Sequence, residues 1–363
     1  MDVACAVKKW ALFRACFSPS LLIGFWTIMG PWEFLYYLGY SYKKAQGFKR
    51  RKRLPRKVIS IGNLTVGGTG KTPAVIALAQ EAKKRGQQPC ILTRGYKGKA
   101  AGPCVISKGD GPLLGVEETG DEALLMAEKL KNIPVIKGND RYEAGMFALD
   151  ASIPDPSLFI LDDGFQHWIL DRDVDILLID RTNPFGNRKL LPSGILREPL
   201  TAMERADIIV ITKTPSHIAA SAEGEDKLLG EIREYNRDAP LYVSSHVPVG
   251  LKTTSGQDLP LEVISGKTVF GFCGIGNPDS FKHTLAAIGA QVRGFMAFRD
   301  HYPYRERDIR HIFGMAQECA ADWIVTTEKD IMRLKGLELP ENLVALAIEF
   351  EADEEFYDEA FNF

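Results

Sequence analysis

The sequence predicts an α/β protein whose main sheet is mostly parallel and covered by helices on both faces. Three observations support this prediction. Short apolar, β-branched runs alternate with helix-like segments along most of the chain. The first of these runs leads directly into a glycine-rich turn, and a helix-like segment follows. The alternation begins again after an extended segment near residue 240, which indicates a second, smaller α/β domain.

The N-terminal segment, residues 1–42, is apolar and rich in aromatic residues. Residues 15–32, eighteen in all, carry no charge, and the next ten add only Glu33. This length lies at the lower limit of a membrane-spanning helix, and prolines and Glu33 interrupt the stretch. We therefore expect a helical segment that associates with a membrane surface. The alternatives are a single-span anchor and a helix hairpin buried in a soluble protein. A cleavable signal peptide is disfavoured, because no small-residue cleavage site stands out.

A polybasic run, residues 43–57, follows the apolar segment. Nine of its fifteen residues are Lys or Arg. A basic cluster beside an apolar, aromatic stretch is typical of attachment to anionic lipids of a cytoplasmic leaflet. By contrast, the formal net charge of −2 gives no indication of nucleic-acid binding. The six cysteines are scattered without a C-x-x-C pair, which fits a reducing compartment.

A glycine-rich loop follows the first predicted strand, Lys57–Ile61. The loop reads TVGGTGKT and leads into a predicted helix that ends near Gly86. It closes with the Gly-Lys-Thr of a phosphate-binding loop, although Thr65 occupies the position of the first glycine. Between a strand and a helix, the backbone N–H groups of such a loop converge on nucleotide phosphates. The residues expected to bind the nucleotide are Thr65, Val66, Gly67, Gly68, Thr69, Gly70, Lys71 and Thr72.

Lys71 and Thr72 have separate expected roles in this loop. Lys71 would contact the terminal phosphates, and the Thr72 hydroxyl would bind Mg²⁺. An acidic pair, Asp162 and Asp163, ends a later apolar strand, which is where P-loop proteins hold their Mg²⁺. The alternative for this pair is an ordinary acidic turn. Together these features predict a P-loop NTPase-like domain over residues 58–238.

Three other places carry candidate catalytic or binding side chains. Asp121 lies in the first turn of a predicted helix, where an acid also complements the helix dipole. Asp300 and His301 lie in a loop after a predicted strand and could transfer a proton. Residues 186–199 form a loop in which Arg197 is one of several basic residues that suit contact with phosphate. For both loops the alternative is an ordinary solvated surface loop.

The rest of the chain is predicted to form a connector and the smaller domain. Residues 239–267 contain Pro, Gly and alternating apolar residues, which indicates an extended two-strand connector. Residues 268–363 are assigned to the smaller α/β domain. Within it, one helix is expected to begin at Tyr304, and a strand is expected over residues 322–330.

Five further motifs follow the glycine loop in an order that is highly specific. They are GDEALL, DDGFQHWILDRDVDI, LLPSGILREP, GIGNP and DHYPY. With GNLTVGGTGKTP, they make residues 57–330 resemble the tetraacyldisaccharide 4'-kinases of lipid A synthesis. That family also has threonine at the first-glycine position and attaches to the membrane. Ala123 and Ile195 stand where the family often has proline, which concerns local geometry rather than the reaction.

The resemblance implies roles for individual residues. Asp121 matches the catalytic base of the family, and His301 matches the residue that orients this base or relays its proton. Lys71 is the third catalytic group. The metal-binding set implied by the resemblance is Thr72, Asp162, Asp163 and Glu198. The substrate-binding set is Arg94, Arg141, His167 and Arg197.

The resemblance also implies an activity and a location. The enzyme would use ATP and Mg²⁺ to phosphorylate the 4'-hydroxyl of tetraacyldisaccharide 1-phosphate, giving lipid IVA, at the cytoplasmic face of a bacterial inner membrane. Its partners would be this acylated substrate and anionic membrane lipids, with no nucleic acid and no oligomeric state assigned. Two alternatives are a membrane-anchored P-loop GTPase and a soluble P-loop metabolite kinase. The GTPase is disfavoured because Pro215 replaces the guanine-binding aspartate after VITKT.

Overall fold

The structure, a computed structural model, describes residues 30–100, 102–151, 153–214 and 222–362. Most of the predicted membrane-associating segment, residues 1–29, and the GTPase-related Pro215 therefore lie outside the described residues. None of the helices in the described ranges is long and apolar enough to cross a membrane.

Strands and helices alternate in the first part of the chain. The strands are β1 (Lys57–Asn63), β2 (Pro89–Thr93), β3 (Cys104–Ser107), β4 (Val135–Lys137), β5 (Leu158–Asp162), β6 (Val174–Asp180) and β7 (Ile208–Thr212). The helices are α1 (Pro31–Lys49), α2 (Lys71–Lys84), α3 (Val116–Thr119), α4 (Asp121–Lys129), α5 (Arg141–Asp150) and α6 (Ala222–Tyr235). A 3₁₀ turn covers Leu200–Arg205. The central strands consist largely of Val, Ile and Leu, because both faces of a parallel sheet are covered.

The second part of the chain continues the alternation. Its strands are β8 (Leu241–Thr253), β9 (Asp258–Leu259), β10 (Thr268–Cys273), β11 (Gln291–Ala297), β12 (Trp323–Thr327) and β13 (Leu343–Ala352). Its helices are α7 (Pro278–Ala287), α8 (Glu306–Glu318), α9 (Glu328–Leu334) and α10 (Glu354–Phe361), with a 3₁₀ turn at Leu261–Val263.

Two predicted boundaries in this part were wrong. Helix α8 begins at Glu306 rather than at Tyr304, because the backbone N–H of Arg305 donates to Asp308 Oδ2 (2.9 Å) and caps the helix. The strand predicted over residues 322–330 ends at Thr327. There the Thr327 hydroxyl accepts from the backbone N–H of Asp330 (3.1 Å) and begins α9.

All thirteen described strands belong to one sheet. Their order is β11-β10-β12-β13-β8-β7-β6-β1-β5-β2-β4-β3, with β9 beside β8. Strand β8 joins the two halves: Leu241 pairs in parallel with Ile209 of β7, and Thr253 pairs antiparallel with Val344 of β13. Strands β8 and β9 both lie within residues 239–267. Because the sheet continues through β8, the proposed domain boundaries stay a prediction.

Apolar layers pack on both faces of the sheet. The layer under α2 and α4 also contains Phe350, Phe356 and Ala360 from the end of the chain. Thus β13 and α10, which the sequence analysis assigned to the smaller domain, contribute to the core of the first half. Sequence periodicity could not reveal this contact, because periodicity reports a buried face but not the element that buries it.

The carboxyl ends of the central parallel strands meet at one edge of the sheet. Asp162, the last residue of β5, pairs with Ile61 of β1, and Asp180, the last residue of β6, pairs with Thr212 of β7. In open parallel sheets, ligands bind outside this edge. The glycine loop and the acidic pair therefore lie together at this edge.

Candidate active site

The glycine loop is held in shape by the residues around it. The Nδ2 of Asn63 donates to the Thr65 carbonyl (2.9 Å), and the backbone N–H of Val66 donates to the Ile195 carbonyl (2.8 Å). Gly67 and Gly70 have φ angles of 116° and 86°, a region that L side chains rarely adopt. The loop tip is exposed, whereas its ends are buried. Its backbone is therefore arranged before any ligand binds.

Strand β8 adds a second constraint on Gly70. A Cβ at this position would lie 2.4 Å from Cε1 and Nε2 of His246. His246 Nε2 is buried and has no hydrogen-bond partner in the part of the chain that the structure describes. Burial and the nearby charge of Lys213 lower the pKa of His246 to about 4. A neutral imidazole thus lies against the loop, and a side chain at position 70 would require the ring to shift and would strain the backbone.

Lys71 belongs to a charged cluster at the base of the loop. Its Nζ donates to Asn63 Oδ1 (3.1 Å) and lies 3.7 Å from Asp163 Oδ1. Arg197 donates to both oxygens of Asp163 (2.9 and 2.7 Å) and also contacts the side chain and backbone carbonyl of Asn63. Such a bidentate pair fixes the guanidinium plane. Two cationic groups thus lie at the base of the loop expected to bind phosphate.

Asp163 is held ionised by its neighbours. Burial opposes its ionisation, but the charges of Lys71 and Arg197 outweigh burial and hold the pKa of Asp163 well below its usual range. Asp163 and His301 also have left-handed backbone angles, with φ of 50° and 57°. Such angles are uncommon for residues other than glycine and cluster at functional sites.

Asp162 differs from its neighbour, because it forms no ion pair with any residue that the structure describes. Its Oδ2 accepts a hydrogen bond from the Thr93 hydroxyl (2.8 Å), while Oδ1 is buried without a partner among the described residues. Burial and the charges of Glu122 and Asp163 raise the pKa of Asp162 to about 6. A buried carboxylate oxygen without a partner among the described residues fits a site for a cation or its bound water.

Glu198, the fourth predicted metal ligand, has different partners. It is fully buried, and its oxygens accept from Arg205 (2.9 and 3.0 Å), Gln166 (2.8 Å) and Tyr40 (3.1 Å). The metal-binding role of Glu198 stays a prediction, and each of its oxygens accepts two hydrogen bonds in this buried network. The sequence could not reveal this, since Arg205 and Tyr40 become its neighbours only through the fold.

Asp121 and His301 contact each other directly although 180 residues separate them. The Nδ1 of His301 lies 3.1 and 3.0 Å from the two oxygens of Asp121, and the backbone N–H of Glu122 donates to Oδ1 (3.0 Å). Asp121 is 4% exposed. The first turn of α4 thus meets the loop after β11, so the two halves of the chain build one site.

Lys329 determines which nitrogen of His301 carries the proton. The Lys329 Nζ lies 3.3 Å from His301 Nε2 and can only donate. A neutral His301 therefore accepts at Nε2 and carries its proton on Nδ1, which donates to Asp121. The ring of Tyr96 packs on the imidazole, with the ring centroids 5.1 Å apart. Tautomer and ring orientation are both fixed.

Two basic residues of α9 complete this cluster, and sequence reasoning missed both. Arg333 donates through Nε to Asp121 Oδ2 (2.7 Å), contacts the same oxygen through Nη2, and donates to Asp330 (2.9 Å). Lys329 also contacts Glu122 (3.0 Å) and Asp300 (3.3 Å). The sequence does contain a signal for this helix. Thr327 is a favourable N-cap residue, and it lies within the segment that was expected to be a strand.

The side chains of His301, Lys329 and Arg333 stabilise the negative charge of Asp121. Burial raises the pKa of a carboxyl, but the hydrogen bond from His301 and the charges of Lys329 and Arg333 hold the pKa of Asp121 well below its usual range. Asp121 is therefore a carboxylate whose oxygens all have hydrogen-bond partners in this arrangement.

Two neighbours link the Asp121–His301 pair with the acidic pair and the glycine loop. The Glu122 carboxylate, bound to Lys329, is close enough to Asp162 to raise its pKa. From the other half, Gly276 of the GIGNP motif lies against Gly68, since a Cβ at Gly276 would be 3.1 Å from the Gly68 nitrogen. The surroundings of the pair therefore adjoin both the acidic pair and the loop.

Three predicted substrate-binding residues lie beside the acidic pair, whereas the fourth, Arg197, binds Asp163 of that pair directly. The backbone N–H of Arg141, at the start of α5, donates to His167 Nε2 (3.3 Å). Burial and the charge of Arg141 lower the pKa of His167 to about 4, and the charge of the exposed Arg94 contributes. Arg141 is buried near both carboxylates of the acidic pair. Arg197 also belongs to the base of the glycine loop.

Comparison with known proteins gives consistent matches. The family model described as tetraacyldisaccharide-1-P 4'-kinase matches residues 25–362. The tetraacyldisaccharide 4'-kinase of Syntrophus aciditrophicus is 42% identical over 296 residues, covering 80% of this chain and 78% of the relative. That of Halothermothrix orenii is 39% identical over 311 residues, covering 81% and 79%.

A solved structure has a similar fold. The crystal structure of LpxK from Aquifex aeolicus in complex with ATP superposes with a TM-score of 0.70 at 32% identity, covering 92% of this chain and 97% of that one. The match extends over both halves of the chain and includes the α/β fold predicted from the sequence. The chain belongs to the tetraacyldisaccharide 4'-kinase family.

Proposed function

We propose that the protein transfers the γ-phosphoryl group of ATP to the 4'-hydroxyl of tetraacyldisaccharide 1-phosphate, giving lipid IVA in lipid A biosynthesis. Family membership supports this activity, and so does the ATP in the related crystal structure. The observation that carries the proposal is the contact between Asp121 and His301. It brings a proton-accepting pair to the same edge as the glycine loop, which is the arrangement that a hydroxyl acceptor requires.

The glycine loop would bind the phosphates of ATP. The loop leads directly into α2, which begins at Lys71 and whose N-terminal dipole favours negative charge. Lys71 would contact the terminal phosphates, because its Nζ is already held at the base of the loop by Asn63. Arg197 would stabilise charge on the transferring group from the same side. In this position it contacts nucleotide phosphate rather than the lipid.

The Asp121–His301 pair would accept the proton of the sugar hydroxyl. Asp121 is ionised and buried and binds His301 Nδ1, while Lys329 contacts Nε2 at the outer end of the pair. Arg333 and Lys329 would stabilise the negative charge of Asp121 until the proton arrives. Because the two groups share one hydrogen bond, the proton belongs to the pair rather than to either residue.

Mg²⁺ bound with the nucleotide would neutralise charge on the phosphoryl oxygens. Asp162 and Thr72 fit this ion, since Asp162 Oδ1 is buried without a partner in the described ranges. No group of three or more His, Cys, Asp and Glu side chains suited to a metal occurs among the described residues. This agrees with Mg²⁺, which keeps several waters and takes its other ligands from phosphate. Asp163 would orient Lys71 and Arg197.

The substrate would bind beside the acidic pair. The exposed Arg94 and the start of α5, with Arg141 and His167, offer positive charge and N–H donors for the polar part of the lipid. We further propose that residues 58–238 act as the nucleotide-binding domain and 268–363 as a smaller domain that supplies His301. Both parts would close on the substrate and exclude water as a competing acceptor.

Helix α1 would hold the protein at the cytoplasmic face of the inner membrane. Trp32, Leu35 and Tyr42 are 71%, 58% and 59% exposed, and their spacing places them on one face of the helix. Residues 43–57 add the basic cluster that attracts anionic lipids. Such a face suits a helix that lies in the membrane interface next to an acylated substrate.

One assay tests the function. The full-length chain in detergent is given ATP or GTP labelled in the γ-phosphate, with tetraacyldisaccharide 1-phosphate or its 4'-deoxy analogue. We expect transfer from ATP to the first lipid only, and none with Lys71→Ala. Transfer to the 4'-deoxy lipid, or nucleotide hydrolysis without transfer to either lipid, would contradict the proposal.

A further inference from the structure

Helix α1 has a second face, which packs on the protein opposite the exposed side chains. Glu33, Tyr40 and Gly47 are buried on this inner face. The Tyr40 ring packs on Trp168 with the centroids 5.6 Å apart, and a Cβ at Gly47 would lie 2.7 Å from Trp168 Cβ. The helix is therefore seated closely on the first half of the chain.

Three polar contacts from the inner face of α1 reach residues 190–198. The Tyr36 hydroxyl donates to the Arg197 carbonyl (3.0 Å), and the Tyr40 hydroxyl donates to Glu198 Oε2 (3.1 Å). Glu33 Oε1 accepts from the backbone N–H of Leu190 (2.7 Å). All three bind the LREP loop or the turn that precedes it.

The opposite side of the same segment contacts the glycine loop. The backbone N–H of Arg197 donates to the Leu64 carbonyl (2.7 Å), and the Ile195 carbonyl accepts from Val66. The Arg197 side chain then reaches Asp163 and Asn63. Residues 195–198 are thus held between α1 and the glycine loop, and Arg205 and Gln166 further anchor the Glu198 carboxylate.

We infer that Tyr36 and Tyr40 are positioning residues that fix the position of the Arg197 guanidinium through residues 195–198. The packing of α1 on this segment would then control phosphoryl transfer. The Tyr36 bond fixes the Arg197 backbone, and the Tyr40 bond fixes the next side chain, Glu198. A displacement of α1 moves this segment, and the guanidinium moves with it. A misplacement of about 1 Å at a positioned group can cost catalysis heavily.

The inference rests on the proposed role of Arg197 toward ATP, and it links that role to the membrane. The exposed face of α1 is the one proposed to lie on lipid, and the inner face holds the arginine. One helix therefore takes part in both attachment and chemistry. This coupling depends on the packing of α1 against residues 190–198, and it requires no change in the glycine loop.

The test uses hydroxyl deletions in the full-length chain in detergent. The variants are Tyr36→Phe, Tyr40→Phe and the double variant, with Tyr357→Phe on α10 as the matched control. We expect the double variant to lower kcat about tenfold, since two hydrogen bonds of ordinary strength are lost. The KM for the lipid and the binding to anionic vesicles should not change. The control should retain the rate of the unaltered chain.

The same pair of substitutions is then made in an Arg197→Ala protein. A positioning role predicts little further loss there, because the group being positioned is gone. Thermal unfolding verifies that each variant is folded at the assay temperature. Losses that multiply in the Arg197→Ala background, or a kcat loss that parallels a loss of vesicle binding, would overturn the inference. An Arg197→Ala protein with the unaltered rate would remove its premise, while transfer by the unaltered chain would still support the proposed activity.

Discussion

Replacing Arg333 by glutamine should show how Asp121 is kept charged and in place. Arg333 donates to Asp121 through Nε, contacts it through Nη2, and donates to Asp330 and to the Gly274 carbonyl. The side chains of Arg333 and Asp121 are only 7% and 5% exposed. A glutamine keeps part of the length and can donate one hydrogen bond, but it removes the charge.

The magnitude follows from the burial of this pair. Breaking a buried ion pair by removing one partner costs about 3–5 kcal/mol of unfolding free energy. Here His301 and the Glu122 N–H still bind Asp121, so we expect the lower end, about 3 kcal/mol. The charge of Arg333 lowers the pKa of Asp121, so its loss raises that pKa. The acidic limb of the kcat/KM profile should therefore move to higher pH.

Two measurements test this reasoning. Urea unfolding at pH 7 gives the stability change, and the pH dependence of lipid phosphorylation gives the acidic limb. Arg310→Gln is the matched control, because Arg310 lies on α8 with its side chain 73% exposed, and both quantities should stay unchanged. If Arg333→Gln keeps the acidic limb where it was, Asp121 does not titrate in the rate-determining step and its assignment to the proton-accepting pair is wrong.

Three further predictions concern the glycine loop and the pair. Lys71→Ala should abolish transfer with the thermal unfolding midpoint nearly unchanged; a folded variant with normal turnover would contradict the P-loop assignment. Gly70→Ala should weaken ATP binding measured by calorimetry, because the added Cβ meets His246 at 2.4 Å; unchanged affinity would show that the ring can move. Asp121→Asn should lower kcat on the order of 10²–10⁴ with little change in the KM for ATP. The double variant Asp121→Asn/His301→Ala should raise the activation free energy by less than the sum of the increases in the two single variants. Simple additivity would show that the two residues act separately.

Elements set by local sequence were predicted well. The glycine loop lies between a strand and a helix, and apolar runs such as residues 158–161 form buried strands, because each pattern is complete within a few residues. The proximity of Asp121 and His301 was implied by family resemblance alone. Their spacing of 180 residues carries no local signal.

Features that depend on distant packing were not predictable. Lys329 lies in the first three residues of α9, which the sequence analysis assigned to a strand, and Arg333 lies just beyond them, so their contacts with Asp121 and His301 were missed. Glu198 has the residue type of a metal ligand, but its burial against Arg205 can be seen only in three dimensions. Helix α1 continues past residue 42 to Lys49, and there Gly47 packs against Trp168, a contact that only the fold reveals.

Strand β8 has a consequence for the synthesis of the protein. Without β8, the apolar strand β7 would be an open sheet edge, with unpaired backbone groups that favour aggregation. The core beneath α2 also lacks Phe350 and Phe356 until β13 and α10 are made. The nucleotide-binding half therefore cannot finish folding until α10 has left the ribosome. A chain truncated before residue 241 should be insoluble when expressed, although it contains the entire glycine loop.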